Sequence, residues 1–134
     1  MSAYVVRDYT PDDWDMVSAW WDEHTNERTF APNILPPVGI VVMHEDEPVC
    51  ACWCHLSAGV GVAFLDMPVA KPGVRAFIIR EAFSHALAVI EKIARGHDYR
   101  FLMAFTLPTI ARYLERNEGF QRDGERVQLV KLLT

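Results

Sequence analysis

The stretch from Lys71 to Arg75 carries residue types that bind phosphate. Two cations, Lys71 and Arg75, lie on either side of Gly73, and a long helical pattern begins directly after them. The first turn of a helix has backbone N–H groups without helical acceptors and the positive end of the helix dipole, so it attracts anions. This junction is therefore the strongest candidate for a ligand site in the sequence.

Cysteine and histidine give little support to nucleophilic or metal chemistry. Cys50, Cys52 and Cys54 alternate along one predicted strand, so their side chains share a face, with neighbours about 6.5 Å apart. That separation and the odd count favour small buried hydrophobes over a disulfide. His55 falls on the opposite face, and the histidines lack paired metal-ligand spacing. We therefore predict reduced, structural cysteines and no metal.

Hydrophobic periodicity predicts the elements that must position these residues. Alternating or β-branched segments indicate strands, and apolar residues at spacings of three and four indicate amphipathic helices. The helix after Arg75 is the longest, with Gly96 predicted as its C-cap, and residues 26–37 form an irregular connection. The patterns predict strands at 4–8, 38–43, 49–56, 60–69, 100–105 and 127–133, and helices at 11–24, 75–95 and 108–117.

This order predicts an α/β fold of the α+β type, with a mixed, mostly antiparallel sheet and helices on both faces. The helix at 75–95 joins two strands that we expect to run parallel. At 134 residues the chain has the size of one domain, and we assign residues 1–134 to a single domain.

Composition and charge argue against several classes of protein. Apolar residues make up 51% and charged residues 23%, as in ordinary globular domains, so we do not expect disorder. The longest apolar run, 60–65, is too short to span a bilayer, and the first residues lack the pattern of a secretory signal. The formal net charge of −5 disfavours nucleic acid and anionic membranes as partners. We therefore predict a cytoplasmic protein.

Three passages carry a resemblance to a known family. Residues 7–14 read as a first strand followed by an acidic helix start. Residues 69–75 read as a strand-to-helix junction, and residues 113–120 as a helix that closes on a Gly-Phe pair. With the order of elements, these passages resemble the GNAT superfamily of acetyl-CoA-dependent N-acetyltransferases over nearly the whole chain.

The resemblance implies acetyl-CoA as acyl donor, with its phosphates at the strand-to-helix junction. In the family this loop begins with Arg or Gln and has Gly, then Gly or Ala, three and five residues later, because backbone must approach phosphate closely. Counted from Arg75, these positions hold Ile78 and Arg80, a departure that a register using Gly73 could offset. The residues implied in cofactor binding are Val69, Lys71, Gly73, Val74, Arg75, Ala76 and Phe77.

The resemblance also implies a general base and a general acid. Asp66 lies on the strand before the junction, where family members often carry an acid that deprotonates an amine through water. Its neighbours Leu65 and Met67 are apolar, so we expect Asp66 to be partly buried. For the acid, family members often carry a tyrosine four residues before the Gly-Phe pair, where this chain has Glu115. Tyr113 lies about 200° from it around a regular helix, so it faces elsewhere unless the helix end is irregular.

These residues lead to two functional hypotheses. The first is an N-acetyltransferase with Asp66 and Tyr113 as candidate catalytic residues. It moves an acetyl group from acetyl-CoA to a primary amine of a small molecule or peptide, by direct attack in a ternary complex rather than through an acylated cysteine. The second is a GNAT-fold binding or assembly module that has lost catalysis along with its loop glycines. No motif identifies the acceptor, and exposed edge strands leave a homodimer open.

Overall fold

The computed structural model describes residues 3–25, 35–57, 61–104, 106, 108–124, 129, 131 and 133. Five strands in these ranges form one sheet whose neighbours follow chain order. The first four strands are antiparallel, and the fifth joins the fourth in parallel, so the predicted mixed, mostly antiparallel sheet is confirmed. The elements are β1 (Tyr4–Asp8), a 3₁₀ turn (Pro11–Asp13), α1 (Trp14–Thr25), β2 (Val38–His44), β3 (Glu47–Leu56), β4 (Val62–Ala70), α2 (Ala76–Gly96), β5 (Phe101–Ala104) and α3 (Pro108–Asn117).

One face of the sheet carries an aromatic core under α1. The rings of Trp21 and Trp53 lie 5.4 Å apart, and Tyr9 packs edge-on against Trp53. Gly39 pairs with Trp53 in the sheet and leaves room for its indole, since a Cβ there would lie 2.3 Å from Trp53 Nε1. These large rings hold α1 on the sheet. The buried residues of this core are Val17, Trp20, Trp21, Val41, Ala51, Trp53 and Val69.

The opposite face carries α2 and α3 over a core of smaller side chains. Cys50, Cys52 and Cys54 belong to this core as free, buried thiols, which confirms the prediction that they are structural and not in disulfides. Helices therefore cover both faces, as predicted. The helices contribute Ala82, Ala86, Leu87, Ile90 and Ala94 from α2 and Leu114 from α3.

The end of α2 differs from the prediction. Gly96 is the last helical residue rather than a cap beyond the helix. The left-handed residue is Asp98, with a φ of 63°, and the Tyr99 N–H donates to the Ala94 carbonyl at 3.0 Å. A short polar side chain tolerates this conformation, so Asp98 does what glycine was expected to do.

Two predicted segments lie largely outside the described residues. The strand at 127–133 is described at isolated positions, and most of the irregular connection at 26–37 falls in the gap before residue 35. The long helix between parallel strands is confirmed, because α2 joins β4 to β5.

Candidate functional site

The two halves of β4 have different neighbours. Residues 62–65 pair with β3 on one side and with β5 on the other, ending at the pair of Leu65 with Ala104. Within the described ranges, residues 66–70 pair with β3 alone. Met67 has a left-handed φ of 53°, and the β3–β4 register shifts beside it. This bulge lies just past the point where β5 ends its pairing with β4, a position typical of bulges next to ligand sites.

A cavity of about 730 Å³ lies between residues 68–70 of β4, α2 and α3. Its wall is apolar where Phe83, Ile110 and Pro68 border it, and three arginines supply charge. Small-molecule sites commonly have volumes of roughly 300–1,000 Å³, an apolar lining and a few polar groups. This cavity therefore has the size and character of a site for an extended organic ligand.

The residues before α2 that the resemblance implies in cofactor binding differ in their surroundings. Val69 borders the cavity. Lys71 Nζ lies 3.2 Å from Glu47 Oε2, so its charge already has a partner at the surface. Gly73 is exposed with a left-handed φ of 82°, a conformation that glycine adopts without strain, and Val74 packs against the core under α2. Of these four residues, only Val69 borders the cavity.

The N-terminus of α2 has the open N–H groups that the sequence predicts. Arg75 is the N-cap residue, and its side chain makes no capping hydrogen bond. The Ile79 N–H donates to the Arg75 carbonyl at 3.2 Å and is the first helical donor, so the N–H groups of Ala76, Phe77 and Ile78 precede it and have no acceptor within the helix. The first turn of α2 contains no acidic residue. An anion placed here would meet N–H donors and no opposing carboxylate on this turn.

Asp66 begins the half of β4 for which the described ranges show no β5 partner. Its side chain is half-buried and borders a small cavity of about 150 Å³ together with His55, Phe64 and Leu65. Pro68, two residues further along the same strand, borders the large cavity. The candidate base and the large cavity are therefore neighbours on one strand, although Asp66 does not line that cavity.

Tyr113 lines the large cavity, and its hydroxyl group lies in a network that joins α3 to α2. The oxygen is 2.8 Å from Ser84 Oγ, 3.1 Å from Glu118 Oε1 and 3.1 Å from the Arg80 carbonyl oxygen. Burial raises the pKa of Tyr113 above its ordinary value of 10, the Ser84 hydrogen bond lowers it, and the Glu118 carboxylate raises it further. The phenol therefore keeps its proton at neutral pH.

Glu115, which occupies the position of the family's tyrosine, does not face the cavity. Arg122 Nη2 lies 2.6 Å from Glu115 Oε1 in a surface ion pair. The end of α3 is regular, since the Glu118 N–H donates to the Leu114 carbonyl at 3.1 Å. Tyr113 reaches the cavity from a regular helix, and no irregularity is needed to place it there.

Cys50 also borders the cavity, but its chemistry is that of a buried thiol. Its side chain is 2% exposed, and burial raises its pKa to about 12. The thiolate is the reactive form of cysteine, and at neutral pH this group holds almost none of it. The structure offers no support for an acylated Cys50.

Sequence reasoning missed the charged residues of the cavity. Arg80, Arg112 and Arg116 border it, and Ser84 and Glu118 hold the Tyr113 hydroxyl. The four-residue spacing of Arg112 and Arg116 was a usable signal, because it places both side chains on one side of a helix. The approach of Arg80 depends on how α2 packs on α3, which no local pattern encodes.

A metal centre and a membrane span are both absent from the described residues. No group of three His, Cys, Asp or Glu side chains in these ranges is arranged to hold a metal ion. None of the described helices is long and apolar enough to cross a membrane.

Neither a protein-family profile nor a curated protein matches the sequence. Solved structures do match. An acetyltransferase from Trypanosoma brucei superposes with a TM-score of 0.71 at 14% identity, over 96% of this chain and 99% of the other. The aminoglycoside N-acetyltransferase AAC(6')-Iy, bound to a bisubstrate analogue of CoA and acetylneamine, gives 0.72 at 13% identity, over 98% and 100%. A transcriptional regulator from Bacillus halodurans gives 0.75 at 13% identity, over 96% and 99%.

These similarities establish the fold. The chain has the mixed α/β fold of GNAT-type acetyltransferases over nearly its full length, as a divergent example of it. The resemblance seen in the sequence is thereby confirmed. Because identity is as low as 13–14%, the likeness alone assigns no substrate and no catalytic residue.

Proposed function

We propose that this chain is an N-acetyltransferase that moves the acetyl group of acetyl-CoA to a primary amine by direct attack in a ternary complex. The observation that carries the proposal is the cavity between residues 68–70 of β4, α2 and α3, in a fold shared with acetyltransferases. Its volume of about 730 Å³ and apolar wall suit the long, flexible arm of coenzyme A.

The donor fits this side of the sheet for two physical reasons. The edge of β4 at residues 66–70, which has no second strand partner among the described residues, offers peptide groups to the amides of the pantetheine arm, as an edge strand does to an added strand. The open N–H groups of α2 and the Arg75 charge favour a phosphate. The Lys71–Glu47 pair is exposed and weak, so Lys71 is free to turn to that phosphate. The cofactor-binding residues we propose are Val69, Lys71, Gly73, Val74, Arg75, Ala76 and Phe77.

In this mechanism Asp66 and Tyr113 handle the protons. The amine nitrogen attacks the thioester carbonyl carbon, an N–C bond forms, and the C–S bond breaks. Asp66 accepts the proton lost by the amine through a water molecule, and Tyr113 gives its proton to the leaving thiolate. Tyr113 is suited to this role because it borders the cavity and is protonated at neutral pH.

The acceptor in our proposal is a small molecule or peptide that carries a primary amine. One structural neighbour was solved with an aminoglycoside-derived bisubstrate analogue and another with sisomicin, so amines of this size are the first to test. The acidic net charge of −5 supports cationic acceptors over nucleic acid. A cytoplasmic location and a homodimer remain expectations from the sequence.

A second function is favoured by two observations. Ile78 and Arg80 stand where the family has small residues, and the Tyr113 hydroxyl already has three protein partners. A chain that has lost catalysis would keep the fold and serve as a binding or assembly module. Acetyl-CoA binding separates the two functions, because the module has no need of the donor.

The test begins with calorimetric titration of the folded protein with acetyl-CoA. Arg75→Glu should weaken binding at least tenfold, about 1.4 kcal/mol, if a phosphate contact is lost. Arg95→Glu is the matched control, since Arg95 lies on the same helix at its other end and pairs with Glu91. A ligand that binds the native state at 100 times its Kd should also stabilise it by about 2.7 kcal/mol.

Turnover is then read as release of free CoA thiol in a screen of aminoglycosides, polyamines, amino acids and peptide N-termini. Release that depends on one amine would establish the enzyme. Tight acetyl-CoA binding with no amine-dependent release would keep the donor and direct the screen to other acceptors. A folded protein that does not bind acetyl-CoA would exclude the proposed donor and favour the binding module.

A further inference from the structure

Three arginines converge on the large cavity from two helices. Arg80 comes from the second turn of α2, and Arg112 and Arg116 come from α3. All three residues are exposed, and none forms an ion pair with a carboxylate in the described part of the chain. Three uncompensated positive charges therefore border a single apolar cavity.

Three other arginines have carboxylate partners. Arg7 pairs with Asp13, Arg95 with Glu91 and Arg122 with Glu115, at distances of 2.8, 3.5 and 2.6 Å. Arg75 and Arg100 form no ion pair in the described part of the chain either. The cavity differs in that three arginines without a carboxylate partner in the described ranges border the same space.

The arrangement at the cavity is unfavourable without a ligand. Arg112 and Arg116 lie four residues apart on one helix, so their like charges repel. The carboxylate on this side, Glu118, already accepts hydrogen bonds from Ser84 and Tyr113. An anionic ligand would relieve the repulsion, whereas an uncharged one would not.

We propose that Arg80, Arg112 and Arg116 bind phosphate oxygens of coenzyme A through their side chains, in addition to the contacts proposed above for Arg75 and the α2 N–H groups, an inference that rests on the proposed function. Guanidinium groups bind phosphate oxygens in pairs and need no close approach of backbone. In the family, small residues at the positions of Ile78 and Arg80 let backbone N–H groups reach the phosphate. In this chain the guanidinium groups supply hydrogen-bond donors instead. The apolar wall at Phe83 and Ile110 then receives the uncharged arm.

This assignment explains why Arg80 stands at a position where the family's loop has a small residue. Arg80 stands five residues after Arg75, where a small residue would leave room for phosphate beside the backbone. In this chain the side chain at that position borders the cavity and carries the charge itself. The absence of a small residue at position 80 and the presence of a positive charge there are then one change, from backbone to side-chain contacts with phosphate.

The experiment measures CoA affinity by titration calorimetry for Arg80→Gln, Arg112→Gln, Arg116→Gln and the triple variant. Each single change should weaken CoA binding about tenfold, since a charge-assisted hydrogen bond is lost, and the triple change by about a hundredfold or more. The matched control, Arg95→Gln, should change it less than about twofold, because that guanidinium is remote and paired. Pantetheine, which has no phosphate, serves as the second probe.

Specific outcomes separate this inference from the proposed function. Selective loss of CoA affinity in the three cavity variants, with pantetheine binding equal in wild type and triple variant, supports it. If wild type binds CoA and the triple variant binds it within twofold, the arginines are not the phosphate site, although the donor assignment stands. An equal loss in Arg95→Gln reduces the effect to net charge and overturns the inference. A folded wild type that does not bind CoA overturns both. Circular dichroism checks that the variants fold.

Discussion

The two halves of β4 use the same backbone for different purposes. In residues 62–65 the strand lies between β3 and β5, so its peptide groups are paired on both edges. In residues 66–70 the described structure pairs one edge alone, Met67 adopts a left-handed φ, and the large cavity begins. The paired half can contribute only stability, whereas the other half has peptide groups available to a ligand. One strand thus combines a rigid anchor with a binding edge.

The largest effect should come from the paired half. Leu65 is buried among the core residues under α2, and Leu65→Ala should lower the free energy of unfolding by about 2–5 kcal/mol through the cavity it leaves. Denaturant titration measures the loss. Leu129→Ala is the matched control, since Leu129 is 88% exposed and its truncation should change stability little. If a folded Leu65→Ala protein bound CoA more weakly than wild type, the paired half would also contribute to binding, and the proposed difference between the halves would be wrong.

The next effect concerns Asp66, the first residue of the binding half. If it is the base, Asp66→Asn should lower turnover about 10²-fold, or about 2.7 kcal/mol of barrier, because proton transfer is lost. Acetyl-CoA affinity and unfolding free energy should stay close to wild type. Steady-state kinetics with the amine found in the screen measures it. Asp46→Asn in the exposed β2–β3 turn is the control, and equal losses in the two variants would remove the catalytic role from Asp66.

A smaller kinetic effect is expected at Tyr113. Tyr113→Phe should slow turnover about tenfold, since a positioned acid is removed while the ring remains. The pKa of Tyr113 is raised above its ordinary value of 10, so the phenol is protonated at every pH below 10. A rate that needs this proton should therefore fall only above pH 10. The pH profile of kcat in wild type and variant measures this limb. A wild-type rate that falls between about pH 7 and 9 would identify another group as the acid.

The smallest effect is expected in the alkylation rates of two β3 cysteines whose backbones pair with opposite halves of β4. Cys50 pairs with Ala70 and Cys54 with Leu65, and burial raises the pKa of both thiols. Iodoacetamide at about pH 8 should therefore alkylate both far more slowly than in the unfolded chain. Mass spectrometry follows the two rates. Rapid alkylation of Cys50, slowed by CoA, would show that the cavity admits solvent to this sulfur.

Local pattern was sufficient for the elements and for the sheet. Spacings of three and four residues predicted α2, and the chain order around it predicted the parallel pairing of β4 and β5, because a long helix between two strands returns the chain to the same sheet edge. The three cysteines alternate along β3, and because every second side chain of a strand lies on the same face, they predicted one buried face.

The site was less accessible from sequence, because its contacts join distant segments. Lys71 was assigned to phosphate, but its Nζ lies beside Glu47, 24 residues away in the chain. Tyr113 meets Ser84 across 29 residues, and helical angles measured from the Gly-Phe pair could not foresee this contact. Arg80 enters the cavity only through the packing of α2 on α3. Periodicity describes one element at a time, and these residues depend on two.

The order of strands in the sheet also has a consequence for how the protein folds. β1 to β4 are sheet neighbours in chain order, although the connection from β1 to β2 is long enough to contain α1. β2, β3 and β4 need only short loop closures, whereas β5 must wait for the 21 residues of α2 to form and dock. The cavity that β4 borders together with α2 and α3 is thus completed late. A nascent chain would hold a nearly complete antiparallel meander before it could hold a ligand.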